Sequence, residues 1–453
     1  MDLFGTAGIR GPVEETVTPE LALSVGRAVG HEANTVVVGR DGRQSGFALA
    51  GAVEAGLASA GARVVRLGQV PTPALAWASR GRHGVMLTAS HNPPADNGIK
   101  LFEDGVEFDG DAEGRIERRV DAGSDVADWE DWERGERADV LDAYRNAIVA
   151  YADGHGEPLD GLGIVVDCGN GMASLATPQV LQALGGDVRA LNANVDSHFD
   201  ARGSKPTPET LAGLRSFVAD SPDADLGIGH DGDADRIVIV DSDGDIVHED
   251  TVLAILAEHY TRGGDAADPV VLTTPNASGR IDERVTAAGG RVERTGLGVL
   301  HESIATIRTD AAEDTEIVFA AEPWKHIHPQ LGGWIDGVAS AAVFARLVAD
   351  VGLNGLREPV TERPYRKDPV HCPDEHKSTV MNTLETQLPD VFPDATVSLE
   401  HGVRLSFPDG SWTLVRPSGT EPYVRVYVES ADVETLLADV QSLVADAVED
   451  AQH

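Results

Sequence analysis

The sequence has few cysteines and no obvious segment for export or membrane insertion. Only Cys168 and Cys372 occur among its 453 residues, too few for a disulfide framework, as expected in a reducing compartment. The chain opens Met1-Asp2-Leu3-Phe4 without a basic or apolar leader, and its longest apolar stretch, 338–353, contains Arg346 and Asp350. We therefore expect a cytoplasmic protein with no membrane partner.

Positive charge is also scarce, and lysine is almost absent. The chain has 36 lysines and arginines against 75 aspartates and glutamates, which gives a formal charge of −39. The acids are spread along the whole chain, so they do not form an interaction tail. Nucleic acids and anionic membranes require a cationic surface, and neither is expected as a partner. The lysines are Lys100, Lys205, Lys325, Lys367 and Lys377.

We interpret the acidic surface as an adaptation to high salt, which makes the protein halophilic. Counterions screen the mutual repulsion of the surface carboxylates, and this screening weakens as the salt is diluted. Dialysis into low-salt buffer is therefore expected to lower the melting temperature. A melting temperature that does not change with ionic strength would contradict this interpretation.

The length and the order of predicted elements indicate several domains. Helices and strands alternate through most of the chain, which predicts α/β units with mixed, largely parallel sheets. Three such units follow one another in similar element order and suggest a diverged internal repeat, and a smaller α+β unit follows them. Residues 107–137 are charged and glycine-rich and are predicted to be a solvated connector. The predicted domains are 1–138, 139–249, 250–362 and 363–453.

One loop places a hydroxyl beside an imidazole. A short apolar strand ending at Leu87 is followed by Ser90 and His91, and the loop continues towards Lys100. Ligands of α/β proteins bind at the carboxyl ends of strands, where Ser90 offers a nucleophile and His91 a proton carrier. In isolation the same residues also fit an ordinary turn.

A second loop carries three carboxylates at alternate positions. Asp231, Asp233 and Asp235 repel one another unless a cation lies between them, which indicates a hard metal ion with oxygen ligands. An EF-hand is excluded because Arg236 and Ser242 stand where its glycine and glutamate are required. A solvated acidic turn is the alternative.

A third loop is suited to a phosphate group. It combines an arginine, two hydroxyls and an exposed glycine backbone, which together supply several donors to one dianion. A simple turn is again the alternative. The residues of this loop are Arg416, Ser418, Gly419, Thr420 and, a little further along, Arg425.

These three loops and the opening segment resemble the signature motifs of the α-D-phosphohexomutases. That superfamily contains phosphoglucomutases, phosphomannomutases and phosphoglucosamine mutases. The resemblance covers nearly the whole chain and implies three related α/β domains plus a fourth, arranged around a central cleft. The matching segments are Phe4-Gly5-Thr6-Ala7-Gly8-Ile9-Arg10-Gly11, Thr88-Ala89-Ser90-His91-Asn92-Pro93, Asp231-Gly232-Asp233-Ala234-Asp235-Arg236 and Arg416-Pro417-Ser418-Gly419-Thr420-Glu421-Pro422.

The resemblance also implies a role for each motif. Ser90 carries the phosphoryl group, and one Mg²⁺ is held by the three aspartates and by a phosphate oxygen on Ser90. The third loop, with Arg416, Ser418, Gly419, Thr420 and Arg425, holds the phosphate that does not react. Arg10, Lys100 and Arg236 neutralise charge, and His91, Lys100 and His326 are the candidates for proton transfer, with the acid and the base left open.

The expected sugar-recognition loop departs from the family pattern. The family commonly carries Gly-Glu-x-Ser-Gly here, whereas this chain has Ala321 followed by Glu322-Pro323-Trp324-Lys325-His326. Glu322 matches and would accept hydrogen bonds from sugar hydroxyls. Lys325 suits a phosphosugar and Trp324 a sugar face, although both residues also fit a loop that is merely rebuilt. The departure leaves the choice of sugar open.

The predicted activity is the interconversion of a hexose 6-phosphate and 1-phosphate through phospho-Ser90 and a bisphosphorylated sugar, which also activates the enzyme. Glucosamine phosphate is the favoured substrate, because the opening segment and the length most resemble phosphoglucosamine mutases. Mannose or glucose phosphate is the alternative, and a non-catalytic sugar-phosphate binding protein is a further one. The expected partner is a small phosphosugar, and the chain is either a monomer or a homodimer.

Overall fold

The computed structural model describes residues 3–5, 8–312, 314–419 and 421–452. Of the predicted motif residues, Thr6, Ala7 and Thr420 lie outside the described residues. The described residues form four β-sheets, and each sheet takes its strands from one continuous part of the chain. Each sheet lies within one of the four predicted ranges.

The first unit surrounds the largest sheet. Its strands are β1 (Ile9–Pro12), β2 (Thr35–Arg40), β3 (Arg63–Gln69), β4 (His83–Leu87), β5 (Asp96–Glu103), β6 (Val106–Glu107) and β7 (Glu136–Arg137). Its helices are α1 (Pro19–Gly30), α2 (Gly46–Ser59), α3 (Thr72–Ala78) and α4 (Gly110–Ala122). Helix α1 begins with Thr18 accepting the Leu21 N–H and Pro19 in the first helical position.

The second and third units have smaller sheets. The second contains α5 (Leu141–Ala152), β8 (Gly163–Asp167), α6 (Thr177–Ala183), β9 (Asp187–Leu191), α7 (Ala212–Ala219), β10 (Leu226–His230) and β11 (Ile237–Val240). The third contains α8 (Glu249–Gly263), β12 (Asp268–Thr273), α9 (Gly279–Ala287), β13 (Arg291–Arg294), α10 (Leu300–Asp310), β14 (Thr315–Glu322), β15 (Lys325–Ile327) and α11 (Gly337–Arg357).

One strand order recurs in the first three sheets, which confirms the predicted internal repeat. The orders are β5-β4-β2-β3, β11-β10-β8-β9 and β15-β14-β12-β13. Taken in chain order, the first three of these four strands are parallel in each unit. The fourth in chain order, which is β5, β11 or β15, runs antiparallel beside the third. The connection from the third strand to the fourth carries the Ser90 loop, the Asp231–Asp235 loop and the Glu322 loop in turn. The three motifs therefore occupy equivalent positions of one repeated unit.

The fourth unit is an antiparallel sheet with two helices, as the predicted α+β domain requires. Its elements are β16 (Tyr365–His371), α12 (Lys377–Val391), β17 (Thr396–Ser398), β18 (Val403–Ser406), β19 (Trp412–Pro417), β20 (Tyr423–Glu429) and α13 (Val433–Ala451), with strand order β16-β20-β19-β18-β17. Strand β16 and helix α12 were not predicted, because β16 is mostly exposed and lacks an apolar alternation.

The predicted solvated connector at 107–137 was wrong in its central part, which is helix α4. Asp109 begins the helix by accepting the Ala112 N–H at 2.8 Å. Only Ala112 and Ile116 of this helix are buried, and most of its charged residues are exposed. A stripe this narrow is weak evidence of a helix in a sequence, which explains the error.

Helix α11 is a core helix. Its length and composition would also fit a membrane-spanning helix, but 72% of its apolar window is buried inside the fold. It packs against α5 and α6 of the second unit and α8 of the third. Phe102, Val166 and Phe319, one from each of the first three units, belong to the same buried cluster. This shared core fixes the three units against one another and so fixes the distances between their loops.

Candidate active site

The three equivalent turns share an unusual backbone conformation. Ser90, Ala234 and Trp324 have φ angles of 51°, 64° and 70°. Residues with a side chain rarely adopt this left-handed region, and they cluster at functional sites where neighbouring contacts hold them. The repeated unit thus presents one strained turn from each of the three sheets.

Ser90 is fully buried and contacts the acidic loop of the second unit. Its hydroxyl donates to Asp231 Oδ2 at 2.7 Å and lies 3.4 Å from His91 Nδ1. Nearby, the Thr72 hydroxyl donates to Asp233 Oδ2 at 2.7 Å, and the Thr72 N–H donates to the Asp233 carbonyl. These bonds bring the predicted nucleophile and the predicted metal ligands together.

One buried arginine, not predicted from the sequence, holds the Ser90 loop in shape. The Arg43 guanidinium donates to four carbonyl oxygens of that loop, those of Ser90 (2.9 Å), Asn92 (2.8 Å), Pro93 (2.5 Å) and Asp96 (2.9 Å). The planar fork of arginine supplies several donors in fixed directions, which suits it to this task.

A buried aspartate extends this support to the backbone of the nucleophile. Asp41 accepts from Arg43 Nε at 3.0 Å and from the Thr88 hydroxyl at 2.8 Å. The Thr88 oxygen in turn accepts the Ser90 N–H at 2.9 Å. Burial raises the pKa of Asp41, while the Arg43 charge opposes that rise. The chain of contacts therefore fixes the backbone of Ser90 from both sides.

We expect Arg43→Lys to lower kcat by on the order of 100-fold, because a lysine cannot donate to all four carbonyl oxygens. Without these bonds the Ser90 hydroxyl would shift from its reactive position. Steady-state assays and melting curves of the variant test this. Arg115→Lys, at an exposed arginine paired with Glu32, is the matched control and should retain activity. Full activity of Arg43→Lys would show that the loop does not depend on this arginine.

The three aspartates form a buried cluster that fits a cation. Asp231, Asp233 and Asp235 are 0%, 0% and 1% exposed, and one oxygen of each lies within 4.8 Å of the others. Among the described residues, Asp233 Oδ1 and Asp235 Oδ1 have no hydrogen-bond partner. Burying carboxylate oxygens without a partner costs free energy, and coordination of a hard divalent cation satisfies them.

Two basic residues partly neutralise the cluster. Lys100 Nζ lies 3.4 Å from Asp235 and 3.9 Å from Asp233, and Arg236 Nε lies 3.6 Å from Asp231 and Asp235. Burial and repulsion from the other two carboxylates raise the pKa of Asp231 well above its usual value. Burial alone would raise the pKa of Asp235 too, but Lys100 and Arg236 lower it below its usual range.

Lys100 and His91 are held in opposite charge states. Burial would lower the pKa of Lys100, but Glu107, Asp235 and Asp233 raise it, so the amine stays charged. Burial and the positive charges of Arg236 and Arg10 lower the pKa of His91 to about 3, so its imidazole is neutral. Arg10 on β1 pairs with Gly98 on β5, and its charge acts on both His91 and Lys100.

The Glu322 loop joins the site from the third unit. The Ile237 N–H donates to the Trp324 carbonyl, and Arg236 and Lys325 form a backbone bridge, so the second and third loops are directly connected. Glu322 accepts the Gly298 N–H at 2.6 Å and lies 3.8 Å from Lys325 Nζ. Both side chains face a pocket that also reaches Asp235.

Two residues predicted for this loop point elsewhere. His326 is turned to the opposite side of β15 from Lys325, where its Nδ1 contacts the Ser340 hydroxyl of α11 at 3.1 Å inside the core. The structure does not bring His326 to the pocket, so the proton-transfer role predicted for it is corrected. Trp324 packs on the apolar cluster of the second unit around Leu211 and does not form a sugar platform.

Several pocket residues were missed from the sequence. The wall between Lys100 and Lys325 contains Phe102, Glu107, His301 and Trp334. Glu107 forms an ion pair with Lys100 at 3.4 Å. Glu107 was missed because it lies in the segment predicted to be a solvated connector. The indole of Trp334 donates to Asp336, which fixes the ring at the pocket wall.

The fourth unit carries the predicted phosphate loop. Arg416 and Arg425 stand directly opposite each other on β19 and β20. Like charges in this relation repel, and an anion between them relieves the repulsion. The Ser418 hydroxyl and Arg416 Nε are buried and have no hydrogen-bond partner in the part of the chain that the structure describes, while Gly419 is exposed. Thr420 lies outside the described residues.

Models of known protein families match most of the chain. Three of them match in order: "Phosphoglucomutase/phosphomannomutase, alpha/beta/alpha domain I" over residues 1–127, the corresponding domain II over 142–244 and the C-terminal domain over 374–447. The chain belongs to the α-D-phosphohexomutase superfamily. By family it is a phosphosugar mutase, an intramolecular phosphotransferase.

Relatives of this chain carry more than one name. The phosphopentomutase of Thermococcus kodakarensis is 40% identical over 446 residues, covering 95% of this chain and 94% of that protein. The "probable phosphoglucosamine mutase" of Methanopyrus kandleri is 42% identical over 443 residues, with 95% and 94% covered.

Solved structures share the fold of this chain. A phosphoglucomutase/phosphomannomutase family protein from Burkholderia thailandensis superimposes with a TM-score of 0.83 at 28% identity, covering 100% of this chain and 98% of that one. N-acetylphosphoglucosamine mutase from Aspergillus fumigatus, solved with GlcNAc-6P and magnesium, has a TM-score of 0.61 at 17% identity, covering 99% and 96%. The second likeness concerns the fold alone.

Proposed function

We propose that this protein moves a phosphoryl group between two positions of one sugar through phospho-Ser90. The observation that carries the proposal is the 2.7 Å hydrogen bond from Ser90 to Asp231, which sets a buried hydroxyl against the acidic cluster at the meeting point of three equivalent loops. A non-catalytic sugar-phosphate binder, the alternative considered from the sequence, has no need of a buried serine at such a cluster.

In the first transfer, a hydroxyl oxygen of the sugar monophosphate attacks the phosphorus on Ser90. The new O–P bond forms as the bond to the Ser90 oxygen breaks, the sugar hydroxyl gives its proton to a base, and the Ser90 oxygen takes up a proton to become a hydroxyl again. His91 is neutral and lies beside Ser90, so its imidazole has a free lone pair for the proton of the sugar hydroxyl, whereas Lys100 stays charged and offsets the negative charge of the phosphoryl group. The bisphosphorylated sugar then turns, and its other phosphate returns to Ser90.

The acidic cluster is proposed to hold one Mg²⁺, consistent with the magnesium in the A. fumigatus structure. When bound, such an ion neutralises charge on the transferring group. Arg10 and Arg236 add positive charge on the same side of the site. Arg416, Ser418, Gly419 and Arg425 are proposed to hold the phosphate that does not react, and Thr420 stays a prediction for the same role.

Glucosamine phosphate is our first candidate substrate, since relatives over 95% of the chain bear the name phosphoglucosamine mutase. A pentose phosphate is the second candidate, favoured by the T. kodakarensis relative. The replacement of the family's serine and second glycine by Trp324 and Lys325 also fits a changed sugar. Glu322, held by Gly298 and facing Lys325, is proposed to read the hydroxyl groups in either case.

The test is a coupled mutase assay with Mg²⁺ in high salt, with each sugar phosphate tried separately. Glucosamine, glucose and mannose 6-phosphates and ribose 5-phosphate are each supplied with a trace of the matching bisphosphate. The highest catalytic efficiency identifies the sugar that the Glu322 loop selects. No turnover of any of them by folded, phosphorylated protein would contradict the proposed function.

A further inference from the structure

The lysines of this chain are concentrated near the proposed cleft. Lys100 borders the acidic cluster, Lys325 faces Glu322, and Lys205 is close enough to lower the pKa of His91. Lys367 and Lys377 lie in the fourth unit, and Lys367 stands over the ring of Tyr427, to which Arg416 donates a hydrogen bond. Apart from the histidines, the chain's other basic side chains are arginines.

Lys377 is tied to the backbone of the phosphate loop. Its ammonium donates to the carbonyl oxygens of Ser418 and Glu421, each at 2.6 Å, and pairs with Asp374 at 2.6 Å. The Lys377 side chain is only 12% exposed, whereas that of Asp374 is 76% exposed. The two carbonyl bonds therefore join the beginning and the end of the loop through one side chain.

These bonds decide which way the loop's donors face. In a trans peptide the carbonyl of one residue and the N–H of the next point in opposite directions. Since the Ser418 carbonyl points at Lys377, the Gly419 N–H points away from it. The Ser418 N–H is occupied by the Tyr423 carbonyl at 2.9 Å, and the buried Ser418 hydroxyl has no partner among the described residues.

We infer that Lys377 is a positioning residue that latches the phosphate loop in its anion-binding form. The inference rests on the proposed function for the role of that loop. Lys377 does not itself need to touch phosphate, because it binds the carbonyl side of the loop and so turns the Gly419 N–H outward. An ammonium presents its three donors in a tetrahedral arrangement around one point, which serves two carbonyls and a carboxylate. A planar guanidinium of greater length does not fit the same three acceptors.

The experiment measures the affinity for inorganic phosphate by calorimetry on the full chain carrying Ser90→Ala, so that no turnover occurs. Lys377→Met, which keeps the apolar stem, should weaken phosphate binding by about tenfold or more, since two charge-assisted hydrogen bonds are lost. Lys377→Arg should not restore the affinity. Asp374→Asn is the matched control and should stay within about twofold, because that ion pair is exposed.

Arg416→Ala in the same background shows how much phosphate binding depends on this loop. In the otherwise unchanged enzyme, Lys377→Met should raise KM for the sugar phosphate more than it lowers kcat, whereas a merely structural residue would lower the melting temperature and leave KM unchanged. If Lys377→Met does not fold, the affinity of Lys377→Arg decides the question.

Unchanged phosphate affinity in Lys377→Met, or restored affinity in Lys377→Arg, would overturn the latch. Phosphate binding that is insensitive to Arg416→Ala would overturn it too, because the loop would then not be the anion site. Absence of mutase turnover together with Lys377-dependent phosphate binding would instead refute the proposed function and leave the latch standing.

Discussion

Ser90→Ala is expected to reduce turnover on every sugar phosphate by on the order of 10⁴-fold or more. The variant lacks the only atom proposed to carry the phosphoryl group between the two positions of the sugar. The conformation of the loop should persist, because Arg43 and Thr88 bind the backbone of Ser90, which the substitution leaves in place. A coupled assay with purified protein in high salt measures the effect.

The matched control is Ser204→Ala, which removes a hydroxyl that donates to the Asn92 carbonyl of the same loop at 3.0 Å. Its loss should cost at most about tenfold, since it supports the loop without reacting. Substantial activity in Ser90→Ala would contradict the mechanism, and equal losses in both variants would assign the effect to the shape of the loop.

Asp231→Asn is expected to lower kcat by on the order of 10³-fold, because it removes a ligand of the proposed cation and the partner of the Ser90 hydroxyl. The thermal stability of the variant without a cation, in contrast, should not fall. Without a cation, Asp231, Asp233 and Asp235 repel one another in a buried cluster, and the substitution removes one of the three charges. The variant should therefore melt at or above the temperature of the parent in EDTA.

Melting curves with EDTA and with Mg²⁺ test both parts of this prediction. Mg²⁺ should raise the melting temperature of the parent and should have little effect on Asp231→Asn, because only the parent binds the ion tightly. Asp243→Asn, at an exposed turn after β11, is the control and should respond to Mg²⁺ as the parent does. A parent that neither gains stability from Mg²⁺ nor loses activity in EDTA would refute the metal site.

The sequence was most informative where the site residues are contiguous. Ser90, the three aspartates and the Arg416 loop each lie in one short segment at the end of a strand, so the segment and its chemistry could be recognised together. The repeated order of elements was also visible, because the three units alternate helix and strand in the same way. The sequence did not show that the three motifs follow equivalent strands of the three units, because this equivalence depends on the strand order within each sheet.

The residues that were missed act across long sequence distances. Arg43 supports a loop that begins more than forty residues later in the chain, and nothing in its own neighbourhood indicates the four carbonyls that it binds. Lys377 was noticed only as one of the rare lysines, because its partners are backbone carbonyls. Backbone acceptors have no residue type, so no sequence pattern marks them.

His326 was misassigned for a different reason. The motif fixes its place in the chain but not the side of the strand on which it lies. Only Pro323 and Trp324 separate β14 from β15, so Glu322 faces Lys325 directly and both point to the pocket. Successive residues of a strand alternate between faces, which turns His326 to the core.

The central claim, that Ser90 carries the transferred phosphoryl group, is tested most directly on the protein itself. The purified chain is incubated with a sugar bisphosphate, and the site of phosphorylation is located by mass spectrometry before and after a sugar monophosphate is added. The account predicts one phosphoryl group per chain on Ser90, its discharge to the monophosphate with formation of bisphosphate, and neither event in Ser90→Ala. A phosphoryl group on another residue, or a phospho-Ser90 that the monophosphate does not discharge, would contradict it.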